Sequence, residues 1–151
     1  MGVGNYTILL VEDDPNDVLL IQRAFRKAKL TDAIQVARDG EEAVNYLAGH
    51  GAYADRNRYP LPVLVLLDLK LPRKSGFEVL EWIRVQPGLR RLPVVVLTSS
   101  AEMLDINRAY DLGTNSYLVK PVSFDALLDM VKKLGVYWLI LNEKPEITGK
   151  T

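Results

Sequence analysis

Residues 63–67 read Val-Leu-Val-Leu-Leu, and residues 93–98 read Pro-Val-Val-Val-Leu-Thr. Neither run alternates apolar with polar positions, so neither suits a strand with one face in water. A short run that is apolar throughout fits a strand covered on both sides, the environment of a parallel sheet between two layers of helix. Parallel neighbours need long crossover connections. The rest of the chain therefore has to supply helices between strands.

It does so five times. Thr7 to Val11 (TILLV) is a first strand, and Asp14-Pro15 behind it pairs an N-cap acceptor with proline at the first helical position. Val18, Ile21, Phe25 and Ala28 then recur at three and four, while Arg26, Lys27 and Lys29 gather where the helix dipole favours cations. Ile34 and Val36 alternate in a second strand, and Asp39-Gly40-Glu41-Glu42 resembles a capping box ahead of Ala43, Val44 and Leu47. Ser75-Gly76-Phe77-Glu78 has the same spacing before Val79, Leu80 and Ile83, with Pro87-Gly88 closing that helix. Ser99 or Ser100 is expected to cap the fourth helix and Gly113 to end it. Ser116 to Lys120 is the fifth strand, and Ser123 caps a fifth helix faced by Phe124, Leu127, Val131 and Leu134.

Five strands alternating with five helices predict an α/β domain of the (βα)5 type with right-handed crossovers. The expected domain covers residues 1–142 and includes an extended last helix. Residues 143–151 show no periodicity and read as a flexible, fraying tail. With strand order 2-1-3-4-5, ligands gather at the C-terminal strand ends, beside the switch point between strands one and three.

Composition removes most chemistries before those ends are considered. The 151 residues contain no cysteine, which excludes disulfides, thiolate metal sites and cysteine nucleophiles. The single His50 lies in the loop Gly49–Pro62 between two glycines, a poor place for a catalytic imidazole. The 19 basic and 19 acidic residues cancel, so the chain lacks the positive field of a nucleic-acid binder. No stretch approaches the roughly 20 apolar residues of a membrane span, and the start has no signal-peptide pattern. A cytoplasmic protein without nucleic-acid or membrane partners is the expectation.

After strand one stand Glu12, Asp13 and Asp14; after strand three, Asp68; after strand four, Thr98 and Ser99; after strand five, Lys120-Pro121. A dinucleotide site or a P-loop would need glycines in the first turn, where this chain has VEDDP. Carboxylates meeting in one crevice repel each other unless pKa values rise or a cation joins them. A hard divalent ion suits such oxygen donors, and Mg2+, which keeps waters and shares oxygens with phosphate, suits them best.

The pieces LLVEDDP, LLDLKLPRKSG, VVVLTSSA and YLVKP, in that order, resemble the response-regulator receiver domains of two-component signalling, which have a flavodoxin-like fold. The resemblance implies that Asp68 is the phosphoacceptor, and that Glu12, Asp13, Asp68 and the backbone carbonyl of Lys70 hold Mg2+. It also implies that Lys120 faces the phosphoryl group, that Thr98 is the switch hydroxyl and that Tyr117 is the aromatic that changes exposure with state. Pro121 matches a residue often preceded by a cis bond. Glu12 replaces the commoner Asp, and Ser75 stands where Asp or Asn is frequent.

The stretch 49–62, the LKLP after Asp68 and the ending VKKLGVYWL further resemble the stand-alone, phytochrome-associated regulators. That likeness implies a histidine kinase of the phytochrome type as donor. It implies a regulator that catalyses only its own phosphoryl transfer and autodephosphorylation, with output through protein contacts or onward phosphotransfer. The alternative is a pseudo-receiver that binds partners without phosphorylation, but it should lack one of Asp13, Asp68, Thr98 or Lys120. An acid-nucleophile phosphatase would carry a second Asp where Lys70 stands. Val136 to Leu141 are six consecutive apolar or aromatic residues, more than one helix can hide against its own sheet. A homodimer through helix four, strand five and helix five, with Tyr137 or Trp138 near its axis, is the expectation.

Overall fold

The computed structural model describes residues 6–30 and 34–149. Five parallel strands, β1 (Ile8–Val11), β2 (Ile34–Ala37), β3 (Leu64–Leu67), β4 (Val94–Thr98) and β5 (Ser116–Val119), form one sheet in the order 2-1-3-4-5. The helices are α1 (Pro15–Ala28), α2 (Gly40–Ala48), α3 (Gly76–Val85), α4 (Met103–Asp111) and α5 (Phe124–Gly135). The flavodoxin-like architecture expected from the sequence is the one observed.

Strand periodicity divides the apolar runs between two cores. Ile8, Leu10, Leu64, Leu66, Val95 and Leu97 point to one face, where Val18, Ile21 and Phe25 of α1 meet Leu127 and Val131 of α5. Leu9, Val11, Val65, Leu67 and Val94 point to the other, against Ala43 and Leu47 of α2 and Val79, Leu80 and Ile83 of α3. Each such side chain contributes roughly 1.5–3 kcal/mol of burial, and the one polar residue of the central strands, Thr98, stands at the C-terminal end of β4.

The caps follow the sequence with one exception. Asp14 accepts the N–H of Asn16 and Asp39 that of Glu42. Ser75 and Glu78 form a complete capping box, and Ser123 accepts the N–H of Ala126. The fourth helix is not capped by Ser99 or Ser100. It begins at Met103 with Glu102 at the N-cap position and no side-chain cap bond. Ser100 lies just upstream, accepting the N–H of Glu102 and donating to Asp105 Oδ2 at 2.6 Å, so its hydroxyl braces the turn before the helix instead.

Two further segments differ from a simple reading. The loop 49–62 contains a short 3-10 turn (Gly51–Ala54) and packs Tyr53 and Tyr59 around the buried Tyr46, whose hydroxyl donates to the Pro60 carbonyl at 2.7 Å. Arg56 ties it down by donating to the carbonyls of Tyr46 and Leu47. Residues 143–149, read as a fraying tail, have defined contacts: Ile147 packs on the α2–α3 core, Thr148 N–H donates to the Gly88 carbonyl at 2.9 Å, and Lys144 donates to the Leu139 carbonyl. One apolar residue, one backbone bond and one lysine contact leave no periodic signal. No cis peptide bond occurs among the described residues, so the bond before Pro121 is trans. No helix among them is long and apolar enough to cross a membrane.

Candidate functional site

Parallel register aligns the strand ends. Val11 pairs with Leu67, so Glu12 and Asp68 emerge side by side, with Asp68 N–H donating to the Val11 carbonyl at 3.0 Å. Thr98, the last residue of β4, pairs with Val119, and Lys120 N–H donates to the Thr98 carbonyl at 2.8 Å. Four loops thus start from one edge of the sheet. The α3 end of the crevice is equally constrained: a Cβ on Gly76 would lie 2.2 Å from the Asp68 carbonyl oxygen, so only glycine lets α3 start this close to the site.

Asp68 is buried. Its Oδ1 accepts the Leu69 N–H and the Thr98 hydroxyl, each at 2.7 Å, while Oδ2 faces Lys120 Nζ at 3.3 Å. The same ammonium reaches Glu12 Oε1 at 2.5 Å and Asp17 Oδ2 at 2.8 Å. Burial pushes the Glu12 carboxyl up to about 7, with Lys120 opposing the shift and the Asp68 charge adding to it. Burial works against the Lys120 charge, yet the carboxylates of Asp17, Glu12 and Asp68 outweigh it and raise its pKa. Among the expected residues, the structure brings together Glu12, Asp13, Asp68, Thr98 and Lys120.

Asp17 was not anticipated. It sits in the first turn of α1, where an acidic residue ordinarily serves the helix dipole. Its distance from Asp14 in sequence, one helical turn, is the signal that would have placed it over the strand ends. Lys70 is exposed, two positions beyond Asp68 in the loop. Tyr117 is half-buried against Leu69, Phe77, Val96 and Ala109, and its hydroxyl donates to the Ser100 carbonyl at 2.9 Å. Tyr137 and Trp138 lie in the π-helical segment Val136–Leu141 that follows α5, and His50 is exposed beside Asn45.

Carboxylate oxygens of Glu12, Asp13 and Asp68 all lie within 4.8 Å of one another. Two are buried and one is exposed, so the cluster has a closed floor and an open mouth. Three carboxylates around one lysine leave negative charge uncompensated, and the donors are all hard oxygens, so this site fits Mg2+.

The profile of the response regulator receiver domain matches residues 8–132. The chain belongs to the response regulator receiver family. Among relatives of this receiver, the probable methanogenesis regulatory protein FilR2 of Methanothrix harundinacea is 44% identical over 140 residues, covering 93% of this chain and 88% of that protein. The response regulator Rcp1 of a Synechocystis strain is 40% identical over 132 residues, 87% of this chain and 88% of its own, and its Mn2+-bound crystal structure superposes with a TM-score of 0.82. The phosphorylated cyanobacterial phytochrome response regulator RcpA has 40% identity and a TM-score of 0.87, covering 95% of this chain and all of its own. Receiver domains are signalling modules that bind Mg2+ in an acidic pocket and are phosphorylated by histidine kinases. Glu12, Asp13 and Asp68 form an acidic cluster at the strand ends of this chain.

Proposed function

We propose that this receiver takes a phosphoryl group onto Asp68 from a phytochrome-type histidine kinase, in a Mg2+-dependent reaction, and signals through protein contacts or onward phosphotransfer. The observation that carries the reading is the division of labour at Asp68. Oδ1 is held by Thr98 and Leu69, while Oδ2 has Lys120 as its one hydrogen-bond partner among the described residues, which leaves it the freer oxygen for attack. The likeness to RcpA supports the choice of kinase.

Asp68 Oδ2 attacks the donor phosphorus, the bond from phosphorus to the leaving group breaks, and the leaving group departs with the electron pair. Phosphoryl transfer of this loose type is catalysed by positioning and electrostatics. Lys120 supplies positive charge at the phosphoryl oxygens, and the Thr98 hydroxyl exchanges Oδ1 for one of them. Mg2+ bound here would supply positive charge that offsets the negative charge on the reacting oxygens. Glu12, Asp13, Asp68 and the Lys70 carbonyl would hold it. The same residues serve autodephosphorylation, and no other substrate is turned over.

Intact-mass measurement after acetyl phosphate and Mg2+ tests this. Wild type gains one phosphoryl group, Asp68→Asn gains none, EDTA abolishes labelling, and Lys120→Ala folds but labels slowly. Equal labelling of wild type and Asp68→Asn would overturn the assignment.

The same reading includes a homodimer. α5 runs directly into a π-helical segment, Val136–Leu141, in which Leu139 is buried and Trp138 half-buried, whereas Val136, Tyr137, Ile140 and Leu141 are exposed. β5 beside it is a sheet edge. An open groove of about 700 Å3 between them is lined by Leu118, Met130, Leu134, Tyr137 and Trp138. A second copy, placed through α4, β5 and α5, would cover this surface.

A further inference from the structure

We propose that Asp17 is the positioning residue for Lys120, holding its ammonium at the mouth of the crevice where a phosphoryl group on Asp68 would project. The inference rests on Asp68 being the phosphoacceptor. An ammonium has three N–H donors, and here three carboxylates surround it: Glu12 at 2.5 Å, Asp17 at 2.8 Å and Asp68 at 3.3 Å. Glu12 and Asp68 also belong to the cluster suited to a divalent ion, and Asp17 does not. Asp17 is therefore the one partner in this trio with no other charge to serve.

Depth separates the three as well. The side chains of Glu12 and Asp68 are 2% and 9% exposed, whereas that of Asp17 is 32% exposed. Glu12, Asp68 and Thr98 are buried while Asp17 is partly exposed, so Asp17 is the partner that draws the ammonium toward solvent, the side from which a phosphoryl donor must approach. Lysine has a flexible four-carbon stem and strongly hydrated head, and reaches one geometry only if something holds it there. Asp17 is well placed for that task. Its helix starts at the Asp14 cap and Pro15, and its neighbour Val18 is packed in the α1–α5 core. Without Asp17, the ammonium remains paired with Glu12 and Asp68 on the floor, charged but drawn away from the phosphoryl oxygens.

A double-mutant cycle between Asp17→Ala and Lys120→Ala separates this from a helix-capping role, because a residue acting through Lys120 has no effect once Lys120 is gone. The readout is the rate of acetyl phosphate labelling, together with the 15N-resolved ammonium signal of Lys120 in metal-free protein. We expect Asp17→Ala to slow labelling about three- to tenfold in the presence of Lys120, with no further loss in Lys120→Ala. Asp17→Glu should recover most of the rate. The Lys120 ammonium signal, slow to exchange in wild type, should broaden or vanish in Asp17→Ala and persist in Asp17→Glu. Asp17→Asn, nearly isosteric, replaces the alanine variant if α1 is destabilised. Equal losses in both backgrounds, or an unchanged ammonium signal, would overturn the proposal. A wild type that takes no phosphoryl group would overturn the reading of Asp68 instead, and the ammonium signal alone would then decide whether Asp17 holds Lys120.

Discussion

Thr98 donates its hydroxyl to Asp68 Oδ1 at 2.7 Å, and two residues later the Ser100 carbonyl accepts from Tyr117. Phosphorylation at Asp68 adds charged acceptors that compete for that hydroxyl. Were that side chain to move, the backbone between Thr98 and Ser100 would link it to Tyr117 and to Asp105 in α4, through the hydrogen bonds at Ser100. In Thr98→Ala, NMR shifts on phosphorylation should stay near Asp68, whereas in Thr98→Ser they should reach Tyr117 as in wild type. Shifts at Tyr117 that survive Thr98→Ala would remove Thr98 as the link. Thr98 and Lys120 were legible because one ends β4 and the other follows β5, and the C-terminal ends of the strands of a (βα)5 sheet are where such residues meet. Asp17 was not, because a carboxylate in a first turn already has an ordinary role. Tyr46 gives a second test at this scale. Burial pushes its hydroxyl from 10.0 up to about 12, with the Arg56 charge acting the other way. The unfolded chain therefore loses the proton first, and stability present below pH 10 is lost as pH rises toward 12. Urea unfolding of wild type should lose about 2 kcal/mol across that window beyond what Tyr46→Phe loses. Identical slopes in the two proteins would show that Tyr46 ionises freely.

The third helix shows how an element fixes the site. Its N-terminus is closed by the Ser75–Glu78 box and pressed on the Asp68 backbone through Gly76, whose N–H donates to the Leu69 carbonyl at 2.9 Å. Gly76→Ala forces a Cβ to within 2.2 Å of the Asp68 carbonyl oxygen, so backbone must shift. Overpacking of this kind costs about 1–3 kcal/mol, and here the displaced atoms belong to Asp68. Thermal unfolding should show that loss, and acetyl phosphate labelling should fall by more than it does in Ser75→Ala, which costs about 1 kcal/mol at the cap alone. Similar labelling in the two variants would mean that Gly76 does not set the Asp68 position. Elements with a two- or three-residue chemical signature were readable in this way: the Asp14-Pro15 start, the Ser75 box and the Ser123 cap all stand where the sequence puts them. The start of α4 was not, because two serines precede a helix whose Glu102 cap makes no side-chain bond. The contacts of residues 143–149 left no pattern for a related reason, since they come from isolated groups: a backbone N–H at Thr148, the Lys144 ammonium and Ile147.

At the scale of the whole molecule, the charge of +0 leaves no long-range field to drive or oppose self-association, so any pairing has to come from surface packing. The apolar end of α5 supplies that surface. Tyr137 and Ile140 are each 54% exposed and Leu141 65%, and Tyr137 stands edge-on to Trp138 with ring centroids 4.9 Å apart. Aromatic anchors beside a groove dominate interface energies when a partner seals them from water. In a two-fold dimer each anchor is used twice, so a single substitution acts on both halves of the interface. Sedimentation at tens of micromolar should give a dimer for wild type and a weakened one for Tyr137→Ala. Trp138→Ala should weaken it too, at some cost in stability because Trp138 also packs on the α1–α5 core, so its melting curve is recorded in parallel. Truncation before Val136 removes the anchors together and should leave monomer, with the buried Leu139 again making the melt the necessary control. A wild type that remains monomeric at these concentrations, phosphorylated or not, would overturn the dimer.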